Sequence, residues 1–121
     1  MLKLLYGFIT IILYTPYSII IFFRSFIKKE HKSKFKEKLF FNKIKRPDGF
    51  LFWFHVASLG EFNSILPFIN HFLEKNKKNN FLITTVTLSS YNEFKKKFGD
   101  NRRVLHQFLP YDLSLLVNNF L

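Results

Sequence analysis

A carboxylate that follows a glycine-containing turn is the residue of this sequence best placed to do chemistry. Glu61 comes directly after the small-residue turn at 57–60, between a buried apolar run and a helical pattern. A carboxylate there can take a proton from a substrate hydroxyl that comes within hydrogen-bond reach. Acidic residues are also common in first helical turns, because the helix dipole stabilises them by about 0.3–1 kcal/mol. Position alone therefore leaves a catalytic and a structural role open for Glu61.

Small polar residues accompany Glu61 at two places in the sequence. Ser58 and Gly60 either offer backbone N–H groups to an anion at the helix start or simply form the turn. A second group lies at the end of the next apolar run and just after it, and is a candidate for phosphate or sugar binding: Thr85, Thr87, Ser89 and Ser90. For Ser90, a capping box formed with Glu93 is a sufficient explanation.

Metal and nucleotide motifs are missing from the sequence. His55 and His106 lie near predicted strand ends, His31 and His71 are expected on the surface, and no pair has metal-ligand spacing. There is no cysteine, so disulfides and thiolate metal sites are excluded. The P-loop, the GxGxxG fingerprint and the GxSxG elbow are also missing. We therefore expect neither a metal nor a cofactor.

Three short apolar runs predict the strands that position these residues. They are rich in β-forming residues and lie at 50–56, 81–86 and 104–109. A helical pattern follows each run, which gives the order β-α-β-α-β-α and predicts a parallel α/β sheet with right-handed crossovers. Ligands of such sheets bind at the carboxyl ends of the strands, which are residues 58–61, 87–90 and 110–112.

The predicted strands and helices make up half of a doubly wound, Rossmann-like domain. Its last helix is predicted to begin after Asp112 and to continue through Leu116, Val117 and Phe120. No further strand follows, so the domain at 49–121 is expected to be incomplete.

The N-terminal residues predict a membrane helix. Residues 4–23 carry no charge, and a helix of that length spans about 30 Å, the thickness of a bilayer's hydrocarbon core. Pro16 is tolerated in such helices. A cleaved signal peptide would have a shorter apolar region, preceding charge and a small-residue cleavage site, and none of these is present. Residues 1–26 are therefore predicted to be an uncleaved anchor, spanning or deeply embedded.

A basic juxtamembrane segment is predicted at 27–48. The chain carries 19 Lys and Arg against 8 Asp and Glu, a net charge of +11, and many of the cations lie at 24–46. The positive-inside rule places this side of the anchor in the cytoplasm. The cations either contact anionic lipid heads or face a phosphorylated lipid substrate. No nucleic-acid-binding motif accompanies them, so nucleic acid is not an expected partner.

Four segments in the right order resemble bacterial 3-deoxy-D-manno-octulosonic acid (Kdo) transferases. The segment HVASLGE at 55–61 is similar to the family's H-x-x-S-V-G-E, and PFI at 67–69 follows at the family's distance. TTVT at 84–87 and HQFLPYD at 106–112 resemble its T-T-x-T and H-x-Y-L-P-Y-D segments. Leu88-Ser89-Ser90 departs from the x-T-G that many relatives have there.

The resemblance implies an inverting, metal-independent GT-B glycosyltransferase. It implies transfer of Kdo from CMP-Kdo to the lipid A precursor lipid IVA, in lipopolysaccharide core biosynthesis at the cytoplasmic face of the bacterial inner membrane. Glu61 would be the general base, and Ser58 and Gly60 would shape its pocket. Most of the CMP-Kdo site of such enzymes lies in a C-terminal domain that this sequence lacks, so the isolated chain is expected to be inactive.

The alternative is a non-catalytic, membrane-anchored α/β module that binds anionic lipid. Glu61→Gln would then have no effect, whereas charge reversals at Lys34, Lys36 and Lys38 would matter.

Overall fold

The computed structural model describes residues 1–40, 44–112 and Leu116. The chain divides into two compact units, one of Met1–Lys43 with Phe108–Leu121 and one of Ile44–Gln107. In chain order the elements are α1 (Leu2–Phe26), α2 (Lys36–Leu39), β1 (Phe50–Val56), α3 (Leu59–Lys75), β2 (Asn79–Thr85), α4 (Leu88–Phe98) and β3 (Val104–Phe108). The predicted α/β class is confirmed, with an apolar N-terminal helix and a three-stranded parallel sheet.

The sheet has the order β1-β2-β3. β1 and β2 pair in parallel with Phe50 opposite Asn79 and Val56 opposite Thr85. Because strand order follows chain order and parallel crossovers are right-handed, α3 and α4 lie on one face of the sheet. The rings of Phe62 and Phe98 accordingly meet between the two helices, with centroids 6.4 Å apart.

Apolar side chains fill the space between the sheet and its helices. Phe62, Ile69, Phe81 and Ile83 are fully buried. Rings of β1 reach this layer too, since Phe52 stacks on Phe81 with centroids 5.4 Å apart. Burial of each such side chain contributes about 1.5–3 kcal/mol. This layer holds the carboxyl ends of β1 and β2 in place.

The bounds of β1 agree with the prediction, and those of the other two strands differ slightly. β2 begins two residues earlier than predicted, at Asn79. The amide of Asn79 donates to the carbonyl of Phe72 (3.1 Å) and that of Asn80 to the carbonyl of Asp48 (2.9 Å). These bonds satisfy two buried polar side chains that the sequence places in a loop. β2 and β3 each end one residue earlier than predicted, at Thr85 and Phe108.

The start of α4 also differs from the prediction. Its N-cap is Thr87, whose hydroxyl accepts from the Ser90 N–H, so the predicted capping box of Ser90 and Glu93 is wrong. The predicted helix after Asp112 falls largely outside the described residues; Leu116 is helical and buried.

In the other unit, α1 ends in a Schellman motif. The Lys28 N–H donates to the Ser25 carbonyl and the Lys29 N–H to the Arg24 carbonyl. This motif requires a left-handed residue, and Lys28 takes that conformation with φ of 58°. The chain reverses there, so that Phe35 and Leu39 form a buried cluster with Ile21 of α1.

Several cations at 24–46 form ion pairs within this unit. The Lys38 ammonium lies 2.6 Å from a Glu30 carboxylate oxygen, and both side chains are buried. Arg24 pairs with the same carboxylate (3.1 Å), and Lys34 pairs with Glu37 (3.5 Å). Lys38, which the lipid-binding alternative would place against anionic lipid, is therefore held in a buried ion pair instead.

Candidate functional site

The carboxyl ends of β1 and β2 lie side by side, because Val56 and Thr85 are register partners. Each strand is followed by two residues and then a helix, α3 at Leu59 and α4 at Leu88. Two helix N-termini therefore begin at the same edge of the sheet. Their backbone N–H groups and dipoles favour negative charge at that edge. The predicted residues 110–112 belong to the other unit.

Glu61 lies in the first turn of α3 and takes part in a capping box. The Glu61 N–H donates to Oγ of Ser58 (3.2 Å), and the Ala57 N–H donates to Oε2 of Glu61 (2.8 Å). The two side chains thus satisfy backbone donors at the helix start in a nearly reciprocal way. The S-x-x-E spacing at 58–61 is the sequence signal for this box, which was predicted at Ser90 instead.

Capping leaves half of the Glu61 carboxylate available. Oε2 accepts the Ala57 N–H, whereas Oε1 has no hydrogen-bond partner within the part of the chain that the structure describes. Residues 57–61 are all solvent-exposed. A carboxylate that is oriented through one oxygen and open at the other can accept a proton from a bound hydroxyl group. The structural and catalytic roles of Glu61 are therefore compatible.

Gly60 has no conformational reason to be glycine. A Cβ at this position would meet only Oγ of Ser58, at 3.9 Å, which is ordinary van der Waals contact. At Gly49, by contrast, φ is +103° and a Cβ would lie 2.6 Å from the Lys78 carbonyl oxygen. The fold thus requires the glycine at 49 but not the one at 60. Gly60 leaves open space in front of the α3 N-terminus.

The predicted polar residues at the end of β2 and after it lie in three different environments. Thr85 is fully buried, and its hydroxyl lies 2.9 Å from Nε2 of His106. Thr87 is half-buried, and its hydroxyl is bonded to that of Ser90 (2.8 Å). Ser89 is exposed beside it, with its hydroxyl 3.2 Å from that of Thr87. Among the predicted residues of this group, Ser89 is the most accessible to a ligand.

A second polar cluster lies on the other face of the sheet and was not predicted. Oγ1 of the buried Thr84 accepts from Nε1 of Trp53 (3.0 Å) and lies 3.1 Å from Nδ1 of His55. Phe54 packs on Phe68 of α3, so strand alternation places Trp53 and His55 on the opposite face. His55 is exposed on this face and lies two residues before the turn at 57–60. Trp53 and His55 are the two residues of β1 with ring N–H groups, and their two-residue spacing is the signal for this cluster.

No metal site is evident in the described ranges. They contain no group of three or more His, Cys, Asp or Glu side chains that could hold an ion. This edge of the sheet presents one oriented carboxylate beside two helix N-termini.

Comparison with known proteins identifies the family. The sequence profile described as "3-Deoxy-D-manno-octulosonic-acid transferase (kdotransferase)" matches residues 33–121. A probable mitochondrial 3-deoxy-D-manno-octulosonic acid transferase of Arabidopsis thaliana is 38% identical over 92 residues, which cover 76% of this chain and 20% of the relative. The 3-deoxy-D-manno-octulosonic acid transferase of Rickettsia bellii is 32% identical over 117 residues, covering 97% and 28%.

A more distant relative is a bifunctional glycosyltransferase/methyltransferase of Fusobacterium nucleatum, 26% identical over 99 residues that cover 82% of this chain and 15% of the relative. No solved structure matches significantly. The chain spans less than a third of the length of each of these relatives. The resemblance seen in the four sequence segments is confirmed: the chain belongs to the 3-deoxy-D-manno-octulosonic acid transferase family.

Proposed function

We propose that this segment is the acceptor side of an enzyme that transfers Kdo from CMP-Kdo to the lipid A precursor. The observation that carries the proposal is Glu61, whose carboxylate is fixed by the Ala57 N–H through one oxygen and open at the other. In a chain of this family, such a group suits the deprotonation of an acceptor hydroxyl. The sheet order of the described strands fits one half of a GT-B fold.

The proposed step balances without a metal. The acceptor hydroxyl gives its proton to Glu61, and its oxygen forms a bond to the anomeric carbon of Kdo. The bond from that carbon to the CMP phosphate oxygen breaks, and CMP leaves with the electron pair. The attack comes from the face opposite the leaving group, so the configuration inverts. CMP-Kdo is held chiefly by a part of the protein outside these 121 residues.

The N-terminal helix supports a membrane location for this reaction. α1 is long and apolar enough to cross a membrane, by length and composition only. We propose that it attaches the enzyme to the cytoplasmic face of the bacterial inner membrane, the side on which the positive-inside rule places the basic residues that follow α1. A phosphorylated lipid acceptor and anionic lipid heads suit the exposed cations that follow α1.

A transfer assay tests this function. The full-length protein that contains this segment is mixed with CMP-Kdo labelled in the sugar and with lipid IVA in detergent. We expect label to move to the lipid, and we expect EDTA to leave the rate unchanged. Transfer of a different sugar, or none, would contradict the proposal. The 121-residue chain assayed alone should transfer no label.

Replacing Gly60 with alanine tests whether the acceptor approaches the N-terminus of α3. The free energy of unfolding should stay unchanged or rise by up to about 1 kcal/mol, because alanine is the better helix former and the Cβ meets open space. The transfer rate should fall by about 10- to 100-fold, because the methyl group displaces an acceptor that approaches the helix start. Urea unfolding and the transfer assay measure the two effects.

The matched control for Gly60→Ala is Gly49→Ala. It should lower stability, because its backbone is left-handed and the Cβ meets the Lys78 carbonyl. A Gly60→Ala variant with unchanged activity would show that no ligand approaches this part of the helix.

A further inference from the structure

One long face of α1 is covered by other residues of the same unit, some of them apolar and several polar. Along this face lie Tyr6, Thr10, Tyr14, Tyr17 and Ile21, at the three- and four-residue spacing of a helical stripe. Thr10 and Ile21 are buried, and Tyr14 and Tyr17 are partly buried. An isolated helix surrounded by lipid would have no such covered face.

The covering residues follow α1 along nearly its whole length. At the C-terminal end of α1, Arg24 pairs with Glu30, and near the middle of the helix the Tyr14 hydroxyl donates to the Leu39 carbonyl. The hydroxyl of Tyr111 then donates to the Thr10 carbonyl (3.3 Å), and that of Tyr6 donates to the carboxylate of Asp112. From residue 24 to residue 6 a helix rises about 27 Å, close to the full thickness of a hydrocarbon core.

A spanning α1 would carry these residues into the hydrocarbon. Glu37 and Lys38 are charged, and Asp112 meets the end of α1 that is farthest from Arg24. Each charge at membrane depth costs about 2.5–3.5 kcal/mol on insertion scales. Residues 109–112 have no regular secondary structure, and irregular backbone is not tolerated against lipid. The contacts of α1 thus oppose a transmembrane orientation.

The opposite face of α1 is apolar and open. Its exposed side chains include Leu4, Phe8, Ile12, Ile19, Phe23 and Phe26. At the C-terminal end Lys28, Lys29 and Lys32 are exposed and make no ion pair among the described residues. At the other end are the terminal amine and Lys3. An apolar stripe with cations at both ends is complementary to the surface of an anionic membrane leaflet.

We propose that α1 lies in the plane of one leaflet, with its exposed apolar face in the acyl region. The covered face, which carries Tyr6, Tyr14 and Tyr17, is turned towards the rest of its unit. The occupant of this face is a bilayer surface that contains anionic phospholipid. The polar side of the amphipathic assembly is supplied by residues 30–39 and 111–112 rather than by α1 itself. The inference deepens the proposed membrane attachment and is independent of the transferred sugar.

Single cysteines at the two ends of α1 test the orientation, because the native chain has no cysteine. Lys3→Cys and Ser33→Cys both replace exposed residues. Each variant of the full chain is expressed in bacteria and treated with a membrane-impermeant maleimide, in intact spheroplasts and in inverted membrane vesicles. We expect the two cysteines to label together, from the same side. A detergent-solubilised sample confirms that both thiols are reactive.

Three results would overturn the proposal. Labelling of the two cysteines from opposite sides would show a spanning helix. Protection of Lys3→Cys from both sides would place the N-terminus within the hydrocarbon. Failure of the chain to bind vesicles of phosphatidylcholine mixed with phosphatidylglycerol would exclude membrane attachment altogether, whereas the Kdo transfer assay in detergent would be unaffected. Binding to the mixed vesicles that weakens without phosphatidylglycerol supports the anionic partner.

Discussion

Replacing Glu61 with glutamine should lower the rate of Kdo transfer by about 10²–10⁴-fold, the usual contribution of a general base. Glutamine keeps the length of the side chain and an oxygen that can accept the Ala57 N–H, which now bonds to Oε2 of Glu61. The capping box therefore survives, and the loss of negative charge near the helix dipole costs about 0.3–1 kcal/mol. Glu61→Gln separates the chemical role of the carboxylate from its structural role.

The measurement combines the transfer assay on the full-length protein with urea unfolding. Glu74→Gln is the matched control, because Glu74 is exposed and lies near the opposite end of α3. We expect it to change neither quantity. Complementation of a transferase-deficient strain should likewise be lost with Glu61→Gln and kept with Glu74→Gln.

Full activity of Glu61→Gln would remove Glu61 from the reaction and leave it as a helix cap. The non-catalytic lipid-binding alternative would gain support only if the wild-type protein also transferred no Kdo. Loss of activity together with extensive unfolding would contradict the expectation that the cap is retained. The three outcomes are distinguishable because stability and activity are measured on the same preparation.

The sheet and its helices were largely predictable from local patterns. β1 is a continuous apolar run, and its bounds agree with the prediction because a turn at 47–49 precedes it and small residues follow it. The start of β2 was missed because Asn79 and Asn80 look like loop residues. Their amides bond to carbonyls at Phe72 and Asp48, which are distant in sequence, so no local pattern contains this information.

The candidate site was predictable in its position but not in its hydrogen bonds. S-x-x-E occurs twice, at 58–61 and 90–93, and either could begin a helix. Thr87 caps α4 three residues before Ser90, so Ser90 lies inside the first turn and is buried. The sequence does not show which hydroxyl reaches a free N–H, because that depends on where the strand before it ends.

The return of the chain along α1 could not be predicted from charge. Residues 24–46 look like a solvated basic segment, and the cations greatly outnumber Glu30 and Glu37. The structure shows that both glutamates are buried, each against a basic partner. Two acids within a basic segment are the signal that was available, but pairing depends on the tertiary contacts of α1.

Reversing the charge of Lys38 should destabilise this unit by about 3–5 kcal/mol, the usual cost of breaking a buried ion pair from one side. Lys38 is 4% exposed, its ammonium pairs with Glu30, and it lies 4.8 Å from the ring centroid of Phe108. Lys38→Glu would bring a third carboxylate close to Glu30 and Glu37. Urea unfolding of the chain in mild detergent, monitored by circular dichroism, measures the loss of stability.

The control for Lys38→Glu is the same substitution at Lys36. Lys36 is exposed and makes no ion pair in the described part of the chain, so Lys36→Glu should change the free energy of unfolding by no more than about 0.5 kcal/mol. A double-mutant cycle with Lys38→Met and Glu30→Gln should give a coupling energy of about 0.5–3 kcal/mol, since the two side chains touch. Equal effects of Lys36→Glu and Lys38→Glu on stability would show that Lys38 is solvated. It would then belong with the cations that face anionic lipid, and one of the charged residues that oppose a spanning α1 would be removed from that set.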